Sequence, residues 1–215
     1  LIESGGVIVF VGTKRQAAAI VQEEAKRVGV PYVTERWLGG TMTNFEQMKR
    51  RLDRLAELKA KREAGELKQF TKKEQLLIDR EIAKLERFFG GIASLVKIPE
   101  ALFIVDTHKE DTAVREARRM GVAIVGVVDS NGDPAGIDYL IPANDDAVKS
   151  IQLIVSEMGK AVEEGRRPGG PLAQEGKKGE SKQEEGSEKT DKAKPKKEKQ
   201  VESQLPEVKE EPQQL

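Results

Sequence analysis

Three short apolar runs constrain this chain more than any other feature. VIVFV (residues 7–11) breaks off at Gly12, ALFIV (101–105) breaks off at Asp106, and VAIVGVV spans 122–128. None of them alternates apolar with polar residues, so each reads as a strand buried on both faces, the pattern of a parallel sheet. Helical segments lie between and after them. Thr13-x-x-Gln16 fits a capping box opening a helix with Ile20, Val21, Ala25 and Val28 on one stripe and Gly29 as its stop. A short extended piece follows at Pro31–Val33. Residues 109–120 form a helix closed by Gly121, and Asp138–Ile141 is a short fourth strand. A final helix, capped by Asn144 with Asp145 and Asp146 complementing its dipole, buries Val148, Ile151, Ile154, Val155, Met158 and Val162. Strands alternating with helices at this spacing imply an α/β chain with an open parallel sheet and helices on both faces.

Residues 44–88 break the alternation, being helical throughout with no strand between. Thr43-x-x-Glu46 and Thr71-x-x-Glu74 both fit capping boxes. The first helix carries Phe45, Met48, Leu52 and Leu55, and the second Ile78, Ile82, Leu85 and Phe89, at spacings of three and four. Gly65 ends the first helix and Gly90-Gly91 the second. This is the seam of an antiparallel coiled-coil hairpin, with polar Lys59 and Arg62 continuing it toward a weakly packed tip. Arms of about 20 residues, at 1.5 Å each, project on the order of 30 Å from the sheet.

Charge is distributed unevenly behind a formal net of zero. Residues 44–88 hold 13 basic and 9 acidic side chains, whereas residues 99–164 hold 6 and 13. From residue 165 to 215 only seven of 51 residues are apolar and none is aromatic, which leaves too little to bury against the entropy of ordering. The expected organisation is therefore a sheet domain of residues 1–43 and 89–164, an inserted coiled-coil hairpin at 44–88, and a disordered charged tail at 165–215. The absence of cysteine excludes disulfide scaffolds, thiol catalysis and cysteine-ligated zinc, and the single His108 excludes a multi-histidine metal site within one chain. No apolar run approaches a membrane span. The chain opens at Leu1 almost directly into a strand, so we expect that an N-terminal part of the protein is missing.

The candidate chemistry lies at the carboxyl ends of the strands, where doubly wound sheets bind ligands. Gly12-Thr13-Lys14-Arg15 places two cations at a strand-to-helix turn, an arrangement that favours phosphate. It is neither a Walker A loop nor a G-x-G-x-x-G fingerprint, and a nucleic-acid backbone phosphate satisfies the same physics. Arg36-Trp37-Leu38-Gly39-Gly40 contains the only tryptophan. Trp37 either fills the core at the base of the hairpin or forms a platform against RNA, with Arg36 on a phosphate or a base. Asp106, His108, Asp129, Asp133, Asn144, Asp145 and Asp146 gather at the same edge. A hydrolase would arrange such carboxylates around Mg²⁺, but helix capping and turn chemistry account for them more simply.

The runs GGVIVFVGTKRQA, PYVTERWLGGTMTNF, ALFIVDTHKEDTAVREARRMGVAIVGVVDSNGDP and DYLIPANDDA resemble the bacterial small-subunit ribosomal protein S2 family, from about Gly5 to Gly165. The resemblance implies a flavodoxin-like sheet with an inserted coiled-coil hairpin. It also implies a structural, non-enzymatic component of the small ribosomal subunit that contacts small-subunit rRNA and neighbouring ribosomal proteins and helps attach ribosomal protein S1. No cofactor, metal or membrane contact is expected. The setting it implies is a cytoplasmic ribosome, with an organellar one left open. Family members normally carry a basic–aromatic stretch before Val7 that this chain lacks, and the tail after Gly165 is longer and more charged than the family requires. On charge, position and motif match, the expected RNA contacts are Lys14, Arg15, Arg36, Trp37, Asn44, Lys49 and Arg50, with the acidic face of residues 99–164 turned toward protein. The competing readings are a flavodoxin-like nucleotide- or phosphate-binding enzyme and a protein-only adaptor.

Overall fold

A computed structural model describes residues 1–166; the expected tail lies outside the described residues apart from its first two positions. The strands are β1 (Ile8–Val11), β2 (Tyr32–Val33), β3 (Ala101–Val105), β4 (Ala123–Val128) and β5 (Tyr139–Pro142). They form one sheet in the order β2-β1-β3-β4-β5, and every neighbouring pair is parallel. The helices are α1 (Arg15–Val28), α2 (Phe45–Glu63), α3 (Lys72–Phe89), α4 (Asp111–Met120) and α5 (Val148–Gly165). This is the strand order of the flavodoxin-like class.

The uninterrupted apolar runs have the use that parallel pairing requires. Along β1 and β3, Ile8, Phe10, Ala101, Phe103 and Val105 share a core with Ala17, Val21, Ala25 and Val28 of α1 and Ile151, Val155 and Val162 of α5. The intervening residues Val9, Val11, Leu102 and Ile104 join a second core with Ala113, Val114 and Ala117 of α4. Side chains alternate across a strand, so two apolar faces need helices on both sides. Phe10 and Phe103, paired in register, meet edge-to-face with centroids 5.0 Å apart.

Between β2 and β3 the chain runs through α2, a 3₁₀ turn at Glu66–Gln69, α3 and a second 3₁₀ turn at Gly90–Ile92. Met48, Leu52, Leu55 and Leu58 of α2 and Ile82 and Phe89 of α3 belong to the same core as the sheet face bearing Val9 and Leu102. The two helices pack on each other along this stripe, which is continuous with the core beneath that sheet face. At 19 residues, α2 is about 28 Å long.

Several local expectations are corrected. Thr71 and Glu74 form the anticipated reciprocal capping box. Thr13 and Thr43 do not cap: their hydroxyls bond to the buried carboxylates of Glu110 and Glu116, and the residues preceding the helices are Lys14 and Asn44. Asn144 accepts backbone N–H bonds from Asp146 and Ala147 in a turn ahead of α5, which starts at Val148. Val148 itself is exposed. The seam of α2 continues through buried Leu58, while Lys59 and Arg62 lie on the flanks and pair with Glu86 and Asp79 of α3. Leu67 is buried in the turn beyond.

Gly91 is where the return of the helix pair meets the sheet. A Cβ there would lie 2.2 Å from the Tyr32 carbonyl oxygen and 2.8 Å from its ring. Backbone of β2 cannot yield as a flexible side chain can, so Gly91→Ala is expected to destabilise by about 1–3 kcal/mol in urea denaturation. Gly39→Ala, with nothing within 4 Å of the added carbon, is expected to stay within about 0.5 kcal/mol of the parent.

Candidate nucleic-acid interface

At the carboxyl edge of the sheet, Lys14 does not stand free. It follows β1 as the residue leading into α1, and its ammonium lies 3.3 Å from Asp106, 2.7 Å from Asp145 and 2.5 Å from Asp146. Asp106, at the end of β3, takes a left-handed φ of 68° and accepts a bond from the Lys109 N–H. Asp tolerates that conformation better than most residues because its short carboxylate bonds locally. Burial alone would lower the Lys14 pKa, but hydrogen bonds to the three carboxylates outweigh it and hold the ammonium well above its ordinary value. Asp129, Asp145 and Asp146 place carboxylate oxygens within 4.8 Å of one another, a spacing that could hold a cation. Lys14 is already the cation for two of them.

Beside this cluster, Glu110 accepts from both the N–H and the hydroxyl of Thr13. Burial pushes its carboxyl above the ordinary glutamate range, and the bonds from Thr13 only partly offset this. Lys109 donates to the Thr13 carbonyl oxygen at 3.0 Å. The β1–α1 turn is thus tied to the start of α4 by both backbone and side chain. Arg15, next in sequence, is exposed.

The run from Arg36 to Asn44 is organised by one buried carboxylate. Glu116 Oε1 accepts the Trp37 indole N–H at 3.3 Å and the Gly40 N–H at 2.7 Å. Its Oε2 accepts the N–H groups of Met42 at 2.9 Å and Thr43 at 3.1 Å, and the Thr43 hydroxyl at 3.2 Å. Burial works against the charge, yet this set of donors keeps the Glu116 carboxyl below the usual range. Trp37 is 6% exposed and packs in the core shared by the sheet and the helix pair. That is the core-filling alternative for Trp37, with the ring directed inward. Gly40, at φ 90°, makes the turn that aims its N–H at the carboxylate. Arg36 and Asn44 stay exposed at the two ends of this buried loop, followed by exposed Lys49 and Arg50 on the first turns of α2.

The expected contacts thus divide. Arg15, Arg36, Asn44, Lys49 and Arg50 face solvent, whereas Lys14 is enclosed by carboxylates and Trp37 is buried. Residues unnoticed in the sequence complete the surface. Arg51 and Arg54 of α2 and Lys84 of α3 extend the cationic face beyond Arg50. Glu116 was hidden because a carboxylate on the apolar stripe Ala113-Val114-Ala117 looks like an interruption. That polar intrusion on an otherwise buried helix face was the available signal.

Sheet order and edge together define a flavodoxin-like α/β protein whose strand-end site is closed by its own ion pairs, with exposed cations on a loop and a helix pair. The family model described as ribosomal protein S2 matches residues 1–165. Two curated relatives, from Francisella tularensis subsp. novicida (strain U112) and Francisella tularensis subsp. tularensis (strain WY96-3418), are both named small ribosomal subunit protein uS2. Each is 48% identical over 161 residues, covering 75% of this chain and 67% of the relative. The chain belongs to the ribosomal protein S2 family.

Removing the central carboxylate strands several buried donors at once. Glu116→Ala is expected to cost about 3–5 kcal/mol in urea unfolding, and Glu116→Gln, which keeps one acceptor oxygen, about 1–3 kcal/mol. The folded carboxyl titrates below its ordinary value. Its stabilisation is therefore complete above the unfolded pKa of about 4.3 and fades as the pH falls through the lowered folded value. The stability gap between parent and Glu116→Gln should narrow as the pH falls below about 4.3; a constant gap would contradict this account.

Proposed function

We propose that this protein is a structural constituent of the small ribosomal subunit that binds small-subunit rRNA through the loop and helix pair spanning residues 36–88. The observation that carries the reading is the family match across residues 1–165. The surface chemistry supports it. Arg36, Asn44, Lys49 and Arg50 are exposed around a loop pinned from within, so they meet a phosphate backbone without first being ordered. Arg15 adds a cation at the sheet edge. Lys14 and Trp37 act as supports: Lys14 holds the strand-end turns together, and Trp37 anchors the loop.

In this reading α2 and α3 form an antiparallel coiled-coil hairpin inserted between β2 and β3, distinct in role from the sheet domain of residues 1–43 and 89–164. The acidic second half faces neighbouring ribosomal proteins, and support of ribosomal protein S1 belongs to that side. The setting is the ribosome in the cytoplasm. Among the described residues, no helix is long and apolar enough to cross a membrane. An enzymatic reading as a phosphate-binding sheet is disfavoured by the strand-end site, where Asp106, Asp145 and Asp146 surround Lys14 and would repel an incoming phosphate.

Sucrose-gradient sedimentation of a native extract tests the assignment. Co-migration with small subunits, lost on RNase treatment, is the expected result; persistence in soluble fractions beside intact subunits would overturn it. Polarity is tested separately. Lys49→Glu with Arg50→Glu is expected to weaken rRNA binding at least tenfold and reduce the log–log salt dependence by roughly 0.7–0.9 per lost phosphate contact. Glu157→Lys with Glu164→Lys should leave rRNA binding within about twofold at physiological salt, where exposed charges distant from the RNA are screened. Asp145 is unsuitable as that control, because it is buried against Lys14.

A further inference from the structure

A groove beside the helix pair is built differently from a surface that only holds phosphates. It encloses about 590 Å³, with Arg50, Arg51 and Arg54 of α2 and Lys84 of α3 around an apolar floor of Leu38, Leu85 and half-buried Phe88. Glu81 is the one carboxylate in its wall, and it lies 3.4 Å from Arg54. Among the described residues, Arg51 and Lys84 have no carboxylate partner within 4.0 Å. The Arg51 guanidinium lies 6.0 Å from the Phe89 ring centroid. That of Arg87 lies 5.7 Å from the centroid of Phe88 and is held by a 2.7 Å bond to Glu35.

Resting on the rRNA-binding reading above, we propose that this groove takes an unpaired RNA nucleotide. Its base lies on Phe88, Leu85 and Leu38, and its flanking phosphates on Arg51 and Lys84. Duplex backbone would use the cations but leave the apolar floor idle. A basic groove with an accessible aromatic is the arrangement by which proteins hold single strands, since every base offers a π-face to stack. The groove's volume of about 590 Å³ lies in the range of pockets for small ligands, roughly 300–1,000 Å³.

The test compares the full chain and its variants by fluorescence anisotropy against a labelled single-stranded adenosine 12-mer and a 12-base-pair RNA duplex. Phe88→Leu keeps apolar packing against the core but removes the ring. It is expected to weaken single-strand binding about tenfold while changing duplex binding less than twofold, with an unchanged urea midpoint. Arg51→Glu with Lys84→Glu should weaken the single strand at least as much and flatten its salt dependence. Equal losses on both RNAs, or no loss for Phe88→Leu, would overturn the nucleotide site; if Lys49→Glu/Arg50→Glu still lowers RNA binding, the rRNA reading survives. Saturable binding of an amphipathic Glu/Leu peptide that is lost in Phe88→Leu, with both RNAs unaffected, would overturn it in favour of a protein ligand. A chain that binds neither RNA fails both readings.

Discussion

The Glu116 carboxylate holds together the part of the molecule on which any function of the helix pair depends. A loop leaving a parallel sheet and entering a long helix carries backbone N–H groups with no strand or helix partner. Burying them unpaired would cost more than the loop could return in packing. One carboxylate on α4 accepts three of these N–H groups, the Thr43 hydroxyl and the indole of Trp37. The charge tolerates burial because its donors are fixed and convergent, which also accounts for its lowered pKa. The exit direction of α2 is thereby set by an element two strands away in the sheet order.

That linkage bears on how the helix pair can act. The crossover between β2 and β3 occupies residues 34–100, far more than a single covering helix needs. Its apolar stripe lies between α2 and α3, and it is continuous with the core that holds Leu102 and Ile104. The opposite flanks carry ion pairs between the helices, Arg54–Glu81 and Lys59–Glu86 among them, which are exposed and individually weak. Rigidity therefore comes from the shared core and from Gly91 against Tyr32, not from surface charge. A partner meeting the exposed cations meets a surface whose geometry is already fixed by the sheet.

The parallel sheet was legible because burial on both faces leaves a signature that nothing polar interrupts, as in VIVFV and ALFIV. Helix ends were less legible. Thr13 and Thr43 have the spacing of capping residues, but sequence cannot show that a buried glutamate 97 or 73 positions away competes for their hydroxyls. The α2 seam passed from Leu55 to Leu58, a step of three, where a step of four would lead to Lys59; both steps belong to a helical stripe, and burial decided between them. At the site, exposed Arg15, Arg36, Lys49 and Arg50 could be read from charge. The enclosure of Lys14 could not, because its carboxylates come from the ends of β3 and the segment after β5, brought near only by the sheet order.

The Lys14 cluster also explains how a chain of zero net charge can suit a polyanion. An edge that gathers Asp106, Asp129, Asp145 and Asp146 around a single ammonium stays acidic and repels phosphate. Placing Lys14 among them lowers that local field and uses up a cation that would otherwise count toward binding. The exposed cations stand on the loop and helix pair: Arg36, Lys49, Arg51 and Lys84, with Arg50 and Arg54 sharing their charge with Glu46, Glu57 and Glu81. Screening over about 8 Å at physiological salt lets a ligand there respond to those groups and hardly at all to more distant acidic residues. Net charge is then the wrong quantity for judging such a protein. On the rRNA-binding reading, an RNA would meet the local excess on the helix pair, while Lys14 offsets only part of the acidic edge.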